Sequence, residues 1–114
     1  MSSIKKPKRA IKVRKSSGNV FHDLGLSDPE ERLAKAQLAG RICDIITSRR
    51  LTQTEAAELM GLDQPKVSNL MRGKLSGFSV ERLFRYLNHL GQDVSVTIRP
   101  VRGNHRAGTR IVFA

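Results

Sequence analysis

Apolar side chains recur along residues 28–91 with the period of an α-helix, in four runs separated by short polar breaks. In the first run Ala34, Leu38, Ile42, Ile45 and Ile46 fall three or four positions apart, the spacing that places side chains on one helix face. Asp28 can cap this run, Pro29 suits its first turn, and Glu30 and Glu31 complement the positive helix end. It is expected to end near Arg49 and Arg50, where cations favour the negative end. A second run opens at Thr52, which forms with Glu55 the T-x-x-E pattern of a capping box, and Gly61 breaks it. A third opens near Asp63 or Gln64 with Pro65 in its first turn; Val67 and Leu70 point inward and Gly73 closes it. The fourth starts at Ser79, flanked by Phe78 and Leu83 as a hydrophobic staple. Val80, Leu83, Phe84, Leu87 and Leu90 share its apolar face, and Gly91 ends it.

After Gly91 the period changes. Val94, Val96 and Ile98 alternate with Ser95, Thr97 and Arg99, the signature of a half-buried strand, and Pro100 stops it. A lone strand has to pair with something. Residues 110–113 of the same chain and a second copy across a two-fold axis both fit, and the dimer is the favoured expectation. Residues 102–108 read as loop, and residues 111–113 as a short strand or a loose tail. At the other end, residues 1–20 show no apolar period and are expected to form a flexible basic arm. Val20, Phe21, Leu24 and Leu26 make a short apolar patch that should pack onto the domain. The organisation is thus an arm (1–20), one domain (21–100, with strand 93–99 dimerising through Val94, Val96 and Ile98) and a tail (101–114).

Composition sharpens this picture in two ways. Twenty-one basic and ten acidic residues in 114 give a formal net charge of +11. Lys5, Lys6, Lys8, Arg9, Lys12, Arg14 and Lys15 lie in a stretch without an acid. Such an excess favours polyanionic partners, because phosphates attract cations and release counterions on binding. The single cysteine, Cys43, excludes an intrachain disulfide and suits a reducing compartment, so a cytoplasmic protein is expected; its place beside the apolar face of the first helix suggests a buried thiol. No apolar run approaches the ~18 residues of a membrane span, and the basic N-terminus lacks the apolar segment of a signal peptide.

The informative segment is residues 53–72, two short helices joined by a turn of about four residues that holds Gly61. Ala57 faces the neighbouring helix, where only a small side chain permits close approach. Gly61 can take the left-handed conformation that a sharp turn requires. Met60, Leu62, Val67 and Leu70 hold the angle between the helices. The outer face of the third helix then shows Gln64, Lys66, Ser68, Asn69 and Arg72, all able to donate hydrogen bonds to bases or phosphates; Arg72 and Lys74 suit phosphates better than base edges.

The segments L-T-Q-T-E-A-A-E-L-M-G-L (51–62), Q-P-K-V-S-N-L-M-R-G-K (64–74), F-H-D-L-G-L (21–26) and L-N-H-L-G-Q-D-V (87–94) resemble the phage-repressor and Cro-like helix-turn-helix family of XRE type. They are most similar to its short antitoxin-type regulators. The resemblance implies a mainly α fold, a four- to five-helix repressor-like bundle with a C-terminal β-strand. It also implies a homodimer that binds double-stranded DNA, represses its own operon and acts as the antitoxin of a cognate toxin protein. Gln53 would touch a phosphate and brace Gln64, and Gln64 would read a base edge with Lys66, Ser68 and Asn69 beside it. Against this stands a non-specific nucleic-acid-binding protein driven by the basic arm. His22, His89 and His105 match no metal-ligand spacing. No nucleophile, base or paired-acid arrangement suggests catalysis, and no glycine-rich phosphate loop is present; neither an enzyme nor a cofactor is expected.

Overall fold

In the computed structural model residues 28–114 are described, and among them four helices pack into one bundle. They are α1 (Asp28–Ser48), α2 (Gln53–Met60), α3 (Gln64–Met71) and α4 (Val80–His89). The expected basic arm (1–20) and the apolar patch at residues 20–27 lie outside the described residues.

The caps explain where the helices begin. Thr52 Oγ1 accepts from the Glu55 amide at 3.0 Å while the Thr52 amide donates to Glu55 Oε1 at 2.8 Å, closing the capping box of α2. Asp63 accepts from the Lys66 amide to start α3, and Ser79 accepts from the Arg82 amide to start α4. Each bond satisfies a donor that the first helical turn leaves without a partner. Asp28 is itself the first residue of α1 rather than a cap before it.

The helix ends share one device. Arg50, Gly61, Gly73 and Gly91 follow α1, α2, α3 and α4 with φ of 56°, 71°, 78° and 84°. In each case the next amide reaches back five residues: Leu51 to Ile46, Leu62 to Ala57, Lys74 to Asn69 and Gln92 to Leu87. This left-handed closure recovers carbonyls that the last turn would leave unpaired. Three positions are glycine. At α1 an arginine takes the conformation that L-residues disfavour.

Ala34, Leu38, Ile42, Ile45 and Ile46 of α1 are buried against α4, whose Val80, Leu83, Tyr86 and Leu87 face them. Met60, Val67 and Leu70 complete an aliphatic core. Two assignments on α4 change. Tyr86 is buried at 7% exposure and meets the Phe78 ring edge-on, with centroids 6.2 Å apart, whereas Phe84 is only half-buried.

The C-terminal β-strand is not seen: no strand occurs among the described residues. Val94 is half-buried, but Val96 is 54% and Ile98 73% exposed. The physical reason lies in the segment that could have paired with it. Residues 109–113 run along α1 instead. There the Thr109 amide donates to Glu30 Oε2 at 3.2 Å, Ile111 packs on the core and Phe113 lies under the Arg41 guanidinium at 4.9 Å. Alternation supplies a strand with a face, but a ladder needs a neighbour, and within this chain that neighbour is engaged elsewhere.

A candidate DNA-reading helix and its support

α2 and α3 form a tight corner. Ala56 and Ala57 of α2 are buried, at 0% and 6% exposure, and their small side chains allow close approach. Val67 and Leu70 fill the α3 side and Met60 seals the turn. A methyl added to Gly61 would meet nothing within 4 Å. The glycine is therefore required by its left-handed backbone and not by crowding.

With Val67 and Leu70 buried, a pitch of about 3.6 residues per turn puts Pro65, Ser68, Asn69 and Arg72 opposite the core. Gln64 and Lys66 flank that stripe. Gln64, Lys66, Arg72 and Lys74 are exposed, while Gln53, Ser68 and Asn69 are half-buried. Arg72 Nη2 donates to Asn69 Oδ1 at 3.0 Å, linking two members of the predicted set. Among the described residues no hydrogen bond joins Gln53 to Gln64. Val94, Val96 and Ile98 lie beyond α4, outside the two-helix corner.

Two contacts escaped sequence reasoning and tie α4 to the chain after α1 and to α2. Arg49, at the end of α1, donates from Nη2 to the Leu90 carbonyl at 2.6 Å, across the mouth of α4. His89 Nδ1 lies 3.3 Å from the Met60 carbonyl. A carbonyl only accepts, so the ring nitrogen donates, tying the end of α4 to the end of α2. Neither pairing has a local spacing that reveals it, since the partners stand 41 and 29 residues apart.

Cys43 is half-buried, and its thiol faces the Leu70 carbonyl at 3.9 Å. Burial first, and then the neighbouring Asp44 carboxylate, hold the thiol pKa above its usual range. It lines a shallow groove of about 360 Å³ between α1 and the end of α3, with Ala36, Ala39, Gly40, Leu70 and Met71. Among the described residues no group of three or more His, Cys, Asp and Glu side chains could hold a metal ion. No described helix is long and apolar enough to cross a membrane.

Comparison with known proteins bears directly on this geometry. The sequence pattern of a helix-turn-helix domain matches residues 20–99. A solved structure provisionally named an XRE-family transcriptional regulator superposes with a TM-score of 0.74. It is 46% identical and matches over 77% of this chain and the whole of its own. The chain belongs to the XRE-type helix-turn-helix family. No curated protein matches the sequence. As a member of this family the protein is a DNA-binding transcriptional regulator.

Proposed function

We propose that this XRE-type regulator is a sequence-specific repressor that acts as a homodimer on a roughly palindromic site near its own gene. α3 enters the major groove, and Gln64, Lys66, Ser68 and Asn69 meet base edges. Gln53, Arg72 and Lys74 contact phosphates and fix the register. The observation that carries this reading is the polar stripe of α3. Every side chain pointing away from Val67 and Leu70 is polar or is Pro65, and no large apolar group interrupts the stripe.

The exposed apolar side chains of the C-terminal segment, Val96, Ile98, Val101 and Val112, support a protein partner as well. A second copy of the chain covers them in the leading reading, with Val94, Val96 and Ile98 at the two-fold axis. A cognate toxin would cover them if the protein is also an antitoxin.

Fluorescence-anisotropy titrations over a salt series, with DNA from upstream of the gene against a scrambled duplex, test the proposal. A preference of about 10³-fold or more fits a sequence-specific repressor. Equal binding to both duplexes that falls steeply with salt would favour a non-specific binder driven by charge. Gln64→Ala should cost about 1–3 kcal/mol on the preferred duplex and relax its sequence preference. Unchanged discrimination would remove Gln64 from the base-reading set.

A further inference from the structure

The bond between Arg72 and Asn69 bears on which base α3 selects. A guanidinium carries only donors, so the Asn69 amide must turn its oxygen toward Arg72 and its amino group away. The observed geometry has this orientation, with Nη2 3.0 Å from Oδ1. Both residues sit on the stripe opposite the core, one turn apart. Among the described residues no other side chain is bonded to the side chain of either. From Gln64 to Ser79 the chain carries no acidic side chain, and Asp63 is occupied as the cap of α3.

This matters because an asparagine reads adenine with both ends of its amide. The oxygen accepts from the exocyclic amino group while the amide nitrogen donates to N7. In α3 one lone pair of that oxygen is taken, and the other lies beside a cation. An approaching adenine amino group would meet a positive charge and a half-used acceptor. What the pair offers to a base edge is a donor alone, the Asn69 amino group, with the guanidinium charge beside it. The major-groove edge that suits donors alone is that of guanine, with acceptors at both N7 and O6.

We propose that Asn69 and Arg72 act as one donor-only reader that selects guanine over adenine at the base pair facing Asn69. Asn69 makes the base contact; Arg72 is the positioning residue that fixes its amide, and its remaining N–H groups keep the phosphate contact proposed above. This deepens the reading of α3 as the recognition helix and rests on it.

Selection from a randomised duplex library with the full-length protein, followed by sequencing, tests the pair. The wild type is compared with Asn69→Ala, Arg72→Met and Arg72→Lys, each first shown to melt like the wild type. Asn69→Ala marks the position, as the base pair at which preference is lost. There the wild type should favour guanine over adenine by roughly tenfold or more, the scale of one good bidentate contact. Arg72→Met should move that position to parity or toward adenine, with preferences elsewhere unchanged. Arg72→Lys, which keeps the charge but not the planar fork, should fall between. Any base other than guanine leading in the wild type overturns the proposal. So does an Arg72→Met variant that binds every sequence more weakly but keeps the same preference, since Arg72 would then be a phosphate contact only. A wild type that enriches no sequence overturns the recognition-helix reading itself, an outcome distinct from the other two.

Discussion

Replacing Arg49 with methionine separates two roles that its sequence position leaves open, a DNA-facing cation and a structural one. Arg49 follows α1, and its guanidinium donates to the Leu90 carbonyl at 2.6 Å. The backbone explains why that carbonyl is open to it. At the end of α4 the Leu87 carbonyl accepts from the Gln92 amide and the Asn88 carbonyl from the Gly91 amide, while the Leu90 carbonyl takes the side chain of Arg49. A hydrogen bond to a charged donor contributes about 1.5–3 kcal/mol when shielded. Arg49 is exposed, so screening brings the expected loss to about 1–2 kcal/mol. Methionine keeps the apolar stem and removes only the charged fork. For a domain of this size that loss lowers Tm by about 5–15 °C. The effect should shrink in high salt, because the cation also answers the negative end of α4. Thermal unfolding followed by circular dichroism reads the shift, and binding to the preferred duplex is measured in parallel. A variant that melts within about 2 °C of the wild type, yet binds DNA with a salt slope smaller by about 0.9, would refute the argument and make Arg49 a phosphate contact.

Three further substitutions or labels probe the rest of the scaffold. Ala57→Leu inserts a branched side chain between α2 and α3 at a position only 6% exposed; overpacking should cost about 1–3 kcal/mol, and an unchanged melting temperature would show that the corner has room. Arg50→Gly relieves a left-handed residue, φ 56°, that costs an L-amino acid about 1–2 kcal/mol. After the added freedom of the unfolded glycine, the net gain should be about 0.5–1 kcal/mol, and a lower midpoint in urea would contradict the assignment. Cys43 should alkylate with a half-point at higher pH than the same residue in the unfolded chain, because burial and Asp44 favour the neutral thiol. A thiol pKa raised by folding contributes stability below the unfolded pKa that is lost as pH rises through the folded one. A labelling half-point at or below that of the unfolded chain would sink this reading.

The parts of the fold written in local chemistry are those that the sequence reveals. Thr52 with Glu55, Asp63 and Ser79 announce helix starts because a cap is formed within three residues. Gly61, Gly73 and Gly91 announce stops because glycine tolerates positive φ. Arg50 performs the same stop without the signal. Tyr86 was recoverable in principle, since it stands three positions after Leu83 and four before Leu90 on the apolar spacing of α4. The C-terminal segment was not. Its alternation is real, but the fate of residues 94–113 depends on contacts such as Thr109 with Glu30, 79 residues apart, which no local period encodes. The site divides along the same line. The polar stripe of α3 follows from helical spacing around Val67 and Leu70, whereas the braces from Arg49 and His89 come from tertiary packing. The Asn69–Arg72 pair has the i, i+3 spacing at which helix side chains meet, so it lay within reach of the sequence, and what the three-dimensional structure adds is the direction of the amide.

The distribution of charge limits how this molecule can discriminate between DNA sequences. Residues 28–93 carry ten basic and nine acidic side chains, so the helical part is close to neutral. The excess lies at the two ends: seven cations and no acid in residues 1–20, and Arg99, Arg102, Arg106 and Arg110 with no acid in residues 94–114. Charge at chain ends attracts any duplex, because phosphates are the same at every step. Through phosphate contacts it can raise affinity and speed encounter, but phosphate contacts alone do not rank one operator above another. The proposed function assigns ranking to the near-neutral part, where, among the described residues, the polar stripe on α3 lies next to a tight two-helix corner. On the proposed function, affinity and specificity are carried by different segments of the chain. Substitutions at Gln64 or Asn69 should change which duplex is preferred, while loss of end charge should change how strongly all duplexes are held and how steeply that binding falls with salt.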